Sequence, residues 1–296
     1  MNNHLEFFME IKLFEQKFAS QKRLLIVLSA SRFLLSVIAV IFFTLLSSQC
    51  VAQEANALSL RTNIMVNDHR AFTIIPGDLD PDQPIPWVWY APTLGNGLPG
   101  QHEIWMFNRL YAKGIAIAGI DVGESYGSPK GVAIYQALYD KLTRENRFSQ
   151  KPVLLGRSRG GLMLYSWAVR NPSSVGAIAG IYPVVNLQSY PGIDRAAPAF
   201  NMSPEELKGN LGELNPVEML APLAAAKIPI FHLQGDNDKV VPLGPNSKLL
   251  ADRMNAMGGK AQIRVIKGQG HNLWNGWFTN EELIQFIMKF AKPSSK

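Results

Sequence analysis

A single cysteine, Cys50, stands in the 296 residues, so no intramolecular disulfide and no paired-thiolate metal site is available. Charge is sparse at 18% of residues, and the formal net charge of +6 comes from basic residues that are scattered. No basic stripe with interleaved aromatics occurs, which leaves nucleic-acid binding without support. Histidines and carboxylates never cluster at ligand spacing, so neither a metal nor a cofactor is expected. Internal repeats and low-complexity linkers are lacking as well. What is present is a 47% hydrophobic composition, enough to bury the core of one large domain.

The first fifty residues stand apart. Lys12, Lys17, Lys22 and Arg23 precede an apolar run over 24–46, cleanest over 33–46. That core is too short to cross a bilayer comfortably and has the length of a signal peptide. Cys50 and Ala52 place small residues at −3 and −1 of a cut before Gln53. Residues 1–52 are therefore expected to be a signal peptide; an uncleaved N-terminal anchor and lipidation at Cys50 are the alternatives. Each implies export, to the periplasm or beyond the cell, with membrane contact only through this segment. Cleavage would remove five basic and three acidic residues, leaving +4.

Residues 60–66 and 71–75 read as short strands around the turn Asn67-Asp68-His69. Further strands are expected over 86–90, 115–122, 152–155, 175–183, 228–233 and 261–266. The run IAIAGIDV at 115–122 suits a parallel sheet buried on both faces. Helical spacing occupies 104–111, 132–147, the stretch after Gly160, 245–257 and 281–291. This alternation predicts an α/β fold over 53–296, a mostly parallel central sheet flanked by helices. It lapses over 186–227, an insertion with short helices expected at 204–210 and 216–226. The insertion reads either as a small cap shaping a pocket or as a surface excursion.

The stretch that organises the rest is 152–171, PVLLGRSRGGLMLYSWAVRN. A strand meets Gly156-Arg157-Ser158-Arg159-Gly160 and a helix follows at once, so Ser158 sits at the tip of a sharp turn. Side chains at Gly156 and Gly160 would collide with the neighbouring strand and helix. A serine hydroxyl needs an adjacent base, commonly a histidine oriented by a carboxylate. The strand ending at 233 empties into a loop with Asp236 and Asp238, and the strand ending at 266 into Gly268-Gln269-Gly270-His271. Beyond the carboxyl ends of parallel strands these loops are expected to converge on Ser158. Of the other histidines, His4 lies in the leader, His69 and His102 precede the serine, and His232 sits in an apolar strand as a satisfied core residue.

With GRSRGG, GDNDKVVP and GQGH in this order, the chain resembles an α/β-hydrolase of the serine-esterase and prolyl-oligopeptidase-like kind, from about residue 60 onward. The resemblance implies an α/β-hydrolase fold and a triad of Ser158, Asp238 and His271, with Asp236 a turn-former. It also implies an oxyanion hole, one N–H from Arg159 and the second from the loop after 87–90. The common His-Gly signature is missing there and Pro92 has no N–H, so Tyr90 or Ala91 is the expected donor.

Arg157 and Arg159 flank the nucleophile. Serine followed by arginine is similar to the elbow of glucuronoyl esterases, where that arginine assists the oxyanion; the alternative is packing on the helix or pairing with an acid such as Glu124. Arg157, Glu124 and Trp274 are the candidate substrate-binding residues, whereas Trp87 and Trp105 suit core packing. The expected function is an exported serine hydrolase cleaving a carboxylic ester through an acyl-enzyme, with a small-molecule or carbohydrate-linked ester as substrate. A serine peptidase ranks second, since no propeller precedes the domain and no acidic pair for a substrate amine is evident. A non-catalytic binding protein ranks third, since no triad member is lost.

Overall fold

The computed structural model describes residues 56–292 apart from Asn96. The leader, anchor and lipidation readings of residues 1–52 fall outside the described residues. Among those described, no helix is long and apolar enough to cross a membrane.

Eight strands form one sheet: β1 Thr62–Val66, β2 His69–Ile74, β3 Trp87–Ala91, β4 Ala116–Ile120, β5 Val153–Arg157, β6 Ala177–Ile181, β7 Pro229–Gly235 and β8 Lys260–Ile266. Their spatial order is β1-β2-β4-β3-β5-β6-β7-β8. The β1–β2 hairpin turns on Asn67 and Asp68, both with positive φ, a conformation these two residue types tolerate. β2 runs antiparallel to β4, and every pair from β4 to β8 is parallel. The mostly parallel α/β-hydrolase sheet is thus present, with β5 central.

The sequence pattern follows from burial. β3, β4, β5 and β6 are buried at every position, so they read as unbroken apolar runs, while the edge strands β1 and β8 keep exposed polar positions. Alternate residues feed two cores. Trp87 and Trp89 point to one face, against Trp167 and Tyr135; Val88 and Tyr90 point to the other, against Phe107 and Ile284. The helices are α1 Ile104–Tyr111, α2 Pro129–Asp140, α3 Gly160–Ala168, four short ones (α4 Ile193–Ala196, α5 Pro204–Gly209, α6 Leu211–Leu214, α7 Ala221–Ala225), α8 Leu249–Ala256 and α9 Glu281–Phe290. Helices α2, α3 and α8 cover the first face, α1 and α9 the second.

Two of the longer helices differ from the sequence pattern, and the helix expected over 216–226 is a 3₁₀ turn, Pro216–Glu218, followed by α7. The one expected over 132–147 begins earlier, because Ser128 accepts the Gly131 N–H as an N-cap with Pro129 in the first turn, and it ends in a π-helical turn, Lys141–Glu145. A second π-helical turn, Gly244–Lys248, precedes α8. Residues 186–227 carry α4 to α7. Leu187, Ala197, Phe200 and Leu207 of this stretch bury themselves against Tyr126, Leu162 and Val241, so it has a core of its own with the body of the domain.

Candidate active site

β5 ends at Arg157 and α3 begins at Gly160, leaving Ser158 and Arg159 to make the turn. Ser158 holds φ 49°, a left-handed conformation that costs a non-glycine residue free energy. The surroundings enforce it. Ser158 N–H donates to Ile181 O at 3.0 Å, and Ser158 O accepts from the N–H groups of Gly161 and Val184, each at 2.9 Å. A Cβ on Gly160 would collide with the Ala91 carbonyl and Pro92 N, so only glycine lets α3 start this close to the end of β3.

The turn aims Ser158 Oγ at His271 Nε2, 2.9 Å away, and His271 Nδ1 lies 2.9 Å from Asp238 Oδ2. Asp238 is buried, and its Oδ1 accepts the N–H groups of Val240 at 2.9 Å and Val241 at 2.8 Å. Asp236 turns elsewhere: its Oδ1 accepts the Gly268 N–H at 2.6 Å and clips the acid loop to the histidine loop. Asn237 N–H adds a second clip to Gln269 O at 3.0 Å. Ser158, Asp238 and His271, from the ends of β5, β7 and β8, are thereby brought together.

A hollow of about 190 Å³ opens over Ser158, lined by Pro92, Leu98, Arg157, Arg159, Tyr182 and residues 271–273. Arg157 forms its floor and is 7% exposed. Its Nη1 donates to Glu103 Oε1 at 2.7 Å, and its guanidinium lies 5.4 Å from the centre of the Phe278 ring. Glu103 is wholly buried and also accepts Tyr90 Oη–H at 2.6 Å and the Gly100 N–H at 2.9 Å. Burial raises the Tyr90 hydroxyl well above its ordinary pKa, so it stays a donor.

The oxyanion and substrate expectations divide. The Arg159 N–H makes no hydrogen bond among the described residues and stands at the N-terminus of α3. Tyr90 and Ala91 do not line the hollow: both are wholly buried in β3, in register with Leu155 and Gly156. Pro92 is the first residue of that segment to line the hollow. The Arg159 side chain pairs with Glu124. Glu124 itself lines a separate cavity of about 460 Å³ with Asp121, Ser125 and Lys130, so it touches the serine site only through Arg159. Trp274 does not line the hollow; it sits edge-on to Trp277, and Leu273 is the lining residue beside it.

Tyr182, Leu98, Asn272 and Leu273 line the hollow without having been singled out in the sequence, and Tyr182 is the one packed near the histidine. Its ring lies 4.5 Å from that of His271, and its hydroxyl donates to Asn272 O at 3.2 Å, steadying the histidine loop. Burial pushes this phenol up to about 12. Its position was a usable signal: it directly follows the apolar run of β6, beside the elbow strand and on the carboxyl edge of the sheet.

The sequence profile of the Prolyl oligopeptidase family matches residues 135–296, more than half of the chain. The chain belongs to that family. Its fold is that of the α/β-hydrolases. Similar solved structures include the dipeptidyl peptidase 4 of Porphyromonas gingivalis, at 17% identity and TM-score 0.62 over 78% of this chain and 35% of that one. A puromycin-hydrolyzing peptidase of Mycobacterium tuberculosis matches at 17% identity and TM-score 0.62, over 81% of this chain and 42% of that one. A thermostable esterase matches at 17% identity and TM-score 0.56, over 78% of this chain and 62% of that one. The chain thus spans less than half the length of the two peptidases. No curated protein gives a significant match.

Proposed function

We propose that Ser158, His271 and Asp238 are a catalytic triad and that the protein hydrolyses an acyl bond through a covalent acyl-enzyme. The observation that carries this reading is the pair of 2.9 Å contacts linking Ser158 Oγ to His271 and His271 to Asp238, at the tip of a strained elbow. Ser158 Oγ attacks the substrate carbonyl carbon while its proton passes to His271 Nε2. Charge developing on the carbonyl oxygen meets the Arg159 N–H and the N-terminus of α3. His271 then protonates the leaving amine or alcohol, and the acyl group stays on Ser158. Water, deprotonated by His271, attacks that ester; collapse returns the proton to Ser158 and frees the acid. Asp238 holds Nδ1–H throughout and stabilises the imidazolium.

Membership of the prolyl oligopeptidase family favours a peptide-like amide as substrate. A carboxylic ester is the second reading, favoured by a hollow of about 190 Å³, which suits a small group. Arg157 and Arg159 both line it, which favours a substrate with an acidic group beside the scissile bond. Carbohydrate-linked esters belong in the same panel. Export is proposed on the basic residues and apolar run of 1–46; the N-terminus of protein recovered from the producing cell tests it, and a start at Met1 in the cytosol would oppose it.

Fluorophosphonate labelling read by intact mass tests the triad. Wild-type protein is expected to gain one adduct, Ser158→Ala none, and His271→Ala one formed far more slowly. An adduct on Ser158→Ala would sink the assignment. One acyl group offered both as an ester and as an amide then separates the two readings: turnover of both supports a peptidase, turnover of the ester alone an esterase.

A further inference from the structure

From Asp238 a file of buried polar side chains runs into the core. Gln234 Nε2 lies 3.4 Å from Asp238 Oδ2 and 3.0 Å from Val241 O. Ser247 Oγ lies 3.0 Å from Gln234 Oε1 and 3.0 Å from His232 Nδ1. His232 Nε2 lies 2.7 Å from Tyr165 Oη. Gln234, Ser247 and His232 are wholly buried and Tyr165 is 1% exposed. Polar groups sealed at this depth are costly unless paired, and these are paired end to end.

The donor inventory fixes the direction of every bond. A carboxylate and a carbonyl only accept, so Gln234 turns its NH₂ to Asp238 and Val241 and its Oε1 to Ser247. The single hydroxyl hydrogen of Ser247 goes to that oxygen, so Ser247 accepts from His232 Nδ1–H. Burial depresses His232 from 6.5 to about 3, which keeps the ring neutral with Nε2 free to accept. Tyr165, raised by its own burial, keeps its proton and donates it. Each hydrogen therefore points along the file toward Asp238, and bonds aligned this way polarise one another.

We propose that Tyr165, His232, Ser247 and Gln234 are positioning residues that hold the Asp238 carboxylate in the one orientation that keeps Oδ2 on His271 Nδ1–H. Gln234 and His271 converge on that same oxygen, at 3.4 and 2.9 Å. The Gln234 link is the longest of the file, so it acts as a fixed dipole facing the carboxylate, and its orientation depends on Ser247 and Val241. This inference rests on the triad reading above.

Ser247→Ala cuts the file beside Gln234, and Tyr165→Phe removes only the terminal hydroxyl. Ser247→Ala is expected to lower kcat about tenfold, the kinetic equivalent of one net hydrogen bond, with KM unchanged. Tyr165→Phe is expected to lower kcat less, in the same direction. The proton NMR resonance of His271 Nδ1–H, far downfield when bonded to Asp238, is expected to move upfield or vanish in Ser247→Ala. Folded variants with wild-type kcat and an unmoved resonance would overturn the proposal, even with a lowered Tm. Wild-type protein that takes no fluorophosphonate adduct would overturn the triad reading itself, a separate result.

Discussion

His232 lies wholly buried on β7, and burial depresses its pKa from 6.5 to about 3. The unfolded chain protonates this ring near pH 6.5 while the folded chain does not. Between those two values the unfolded state therefore binds more protons, and stability falls as the pH falls. The contribution is complete above about pH 6.5, and its loss below is at most about 1.4 kcal/mol per pH unit. Thermal melts taken from neutral pH downward are expected to show a shallower decline for His232→Gln than for wild type. Equal slopes would mean that water reaches the ring. The sequence showed His232 as a core histidine because its neighbours on β7 are apolar. Its partners were not legible, since Tyr165 and Ser247 come from other elements, 67 and 15 residues away.

At the scale of elements, one carboxylate joins three of them. Glu103 sits in the 3₁₀ turn Gln101–Glu103 ahead of α1 and takes bonds from Tyr90 on β3 and Arg157 on β5. Nothing in the sequence separates such an acid, next to a glycine-rich loop, from a solvated one. Only folding reveals that it is sealed. Glu103→Gln leaves the Arg157 guanidinium buried without its counter-charge, a loss of about 3–5 kcal/mol. The urea midpoint is expected to fall with the slope unchanged. Glu103→Gln with Arg157→Met is expected to cost less than the two singles added, and strict additivity would mean the pair is uncoupled. Gly160→Ala tests the neighbouring junction. The atoms it strikes are the backbone of Ala91 and Pro92, which cannot swing aside, so fluorophosphonate labelling is expected to slow sharply. The strands of this region were legible because β3 to β6 are buried on both faces. The placement of Tyr90 and Ala91 was not, because an apolar run does not mark where a strand stops and its loop begins.

Across the whole molecule, the segment 186–227 is tied to the chain that follows the acid loop. The sequence left it as cap or surface excursion, and none of its residues lines the hollow over Ser158. Three buried asparagines explain its place. Asn215 accepts the Leu187 N–H at 3.0 Å and donates to Asn186 Oδ1 at 3.0 Å. Asn186 donates to Pro245 O at 3.1 Å. Asn246 accepts the Val185 N–H at 3.2 Å and donates to Ser189 Oγ at 2.8 Å and Pro242 O at 3.0 Å. Asparagine in a chain rich in turns reads as loop, so no pattern announced that Asn186 and Asn246 bind the segment to the chain just beyond Asp238 while Asn215 braces it from within. Their amides replace the backbone ladder that an irregular buried segment lacks. Such a segment opens with the domain and not ahead of it. The Leu187 amide is accordingly expected to exchange with solvent as slowly as the amides of β6, and native protein to resist proteolysis throughout 186–227. Asn215→Ala strands the Leu187 N–H and one Asn186 bond, at about 1–3 kcal/mol, and is expected to speed exchange at Leu187 well before that of β6. Fast exchange at Leu187 in the wild type would instead make this segment a moving cap.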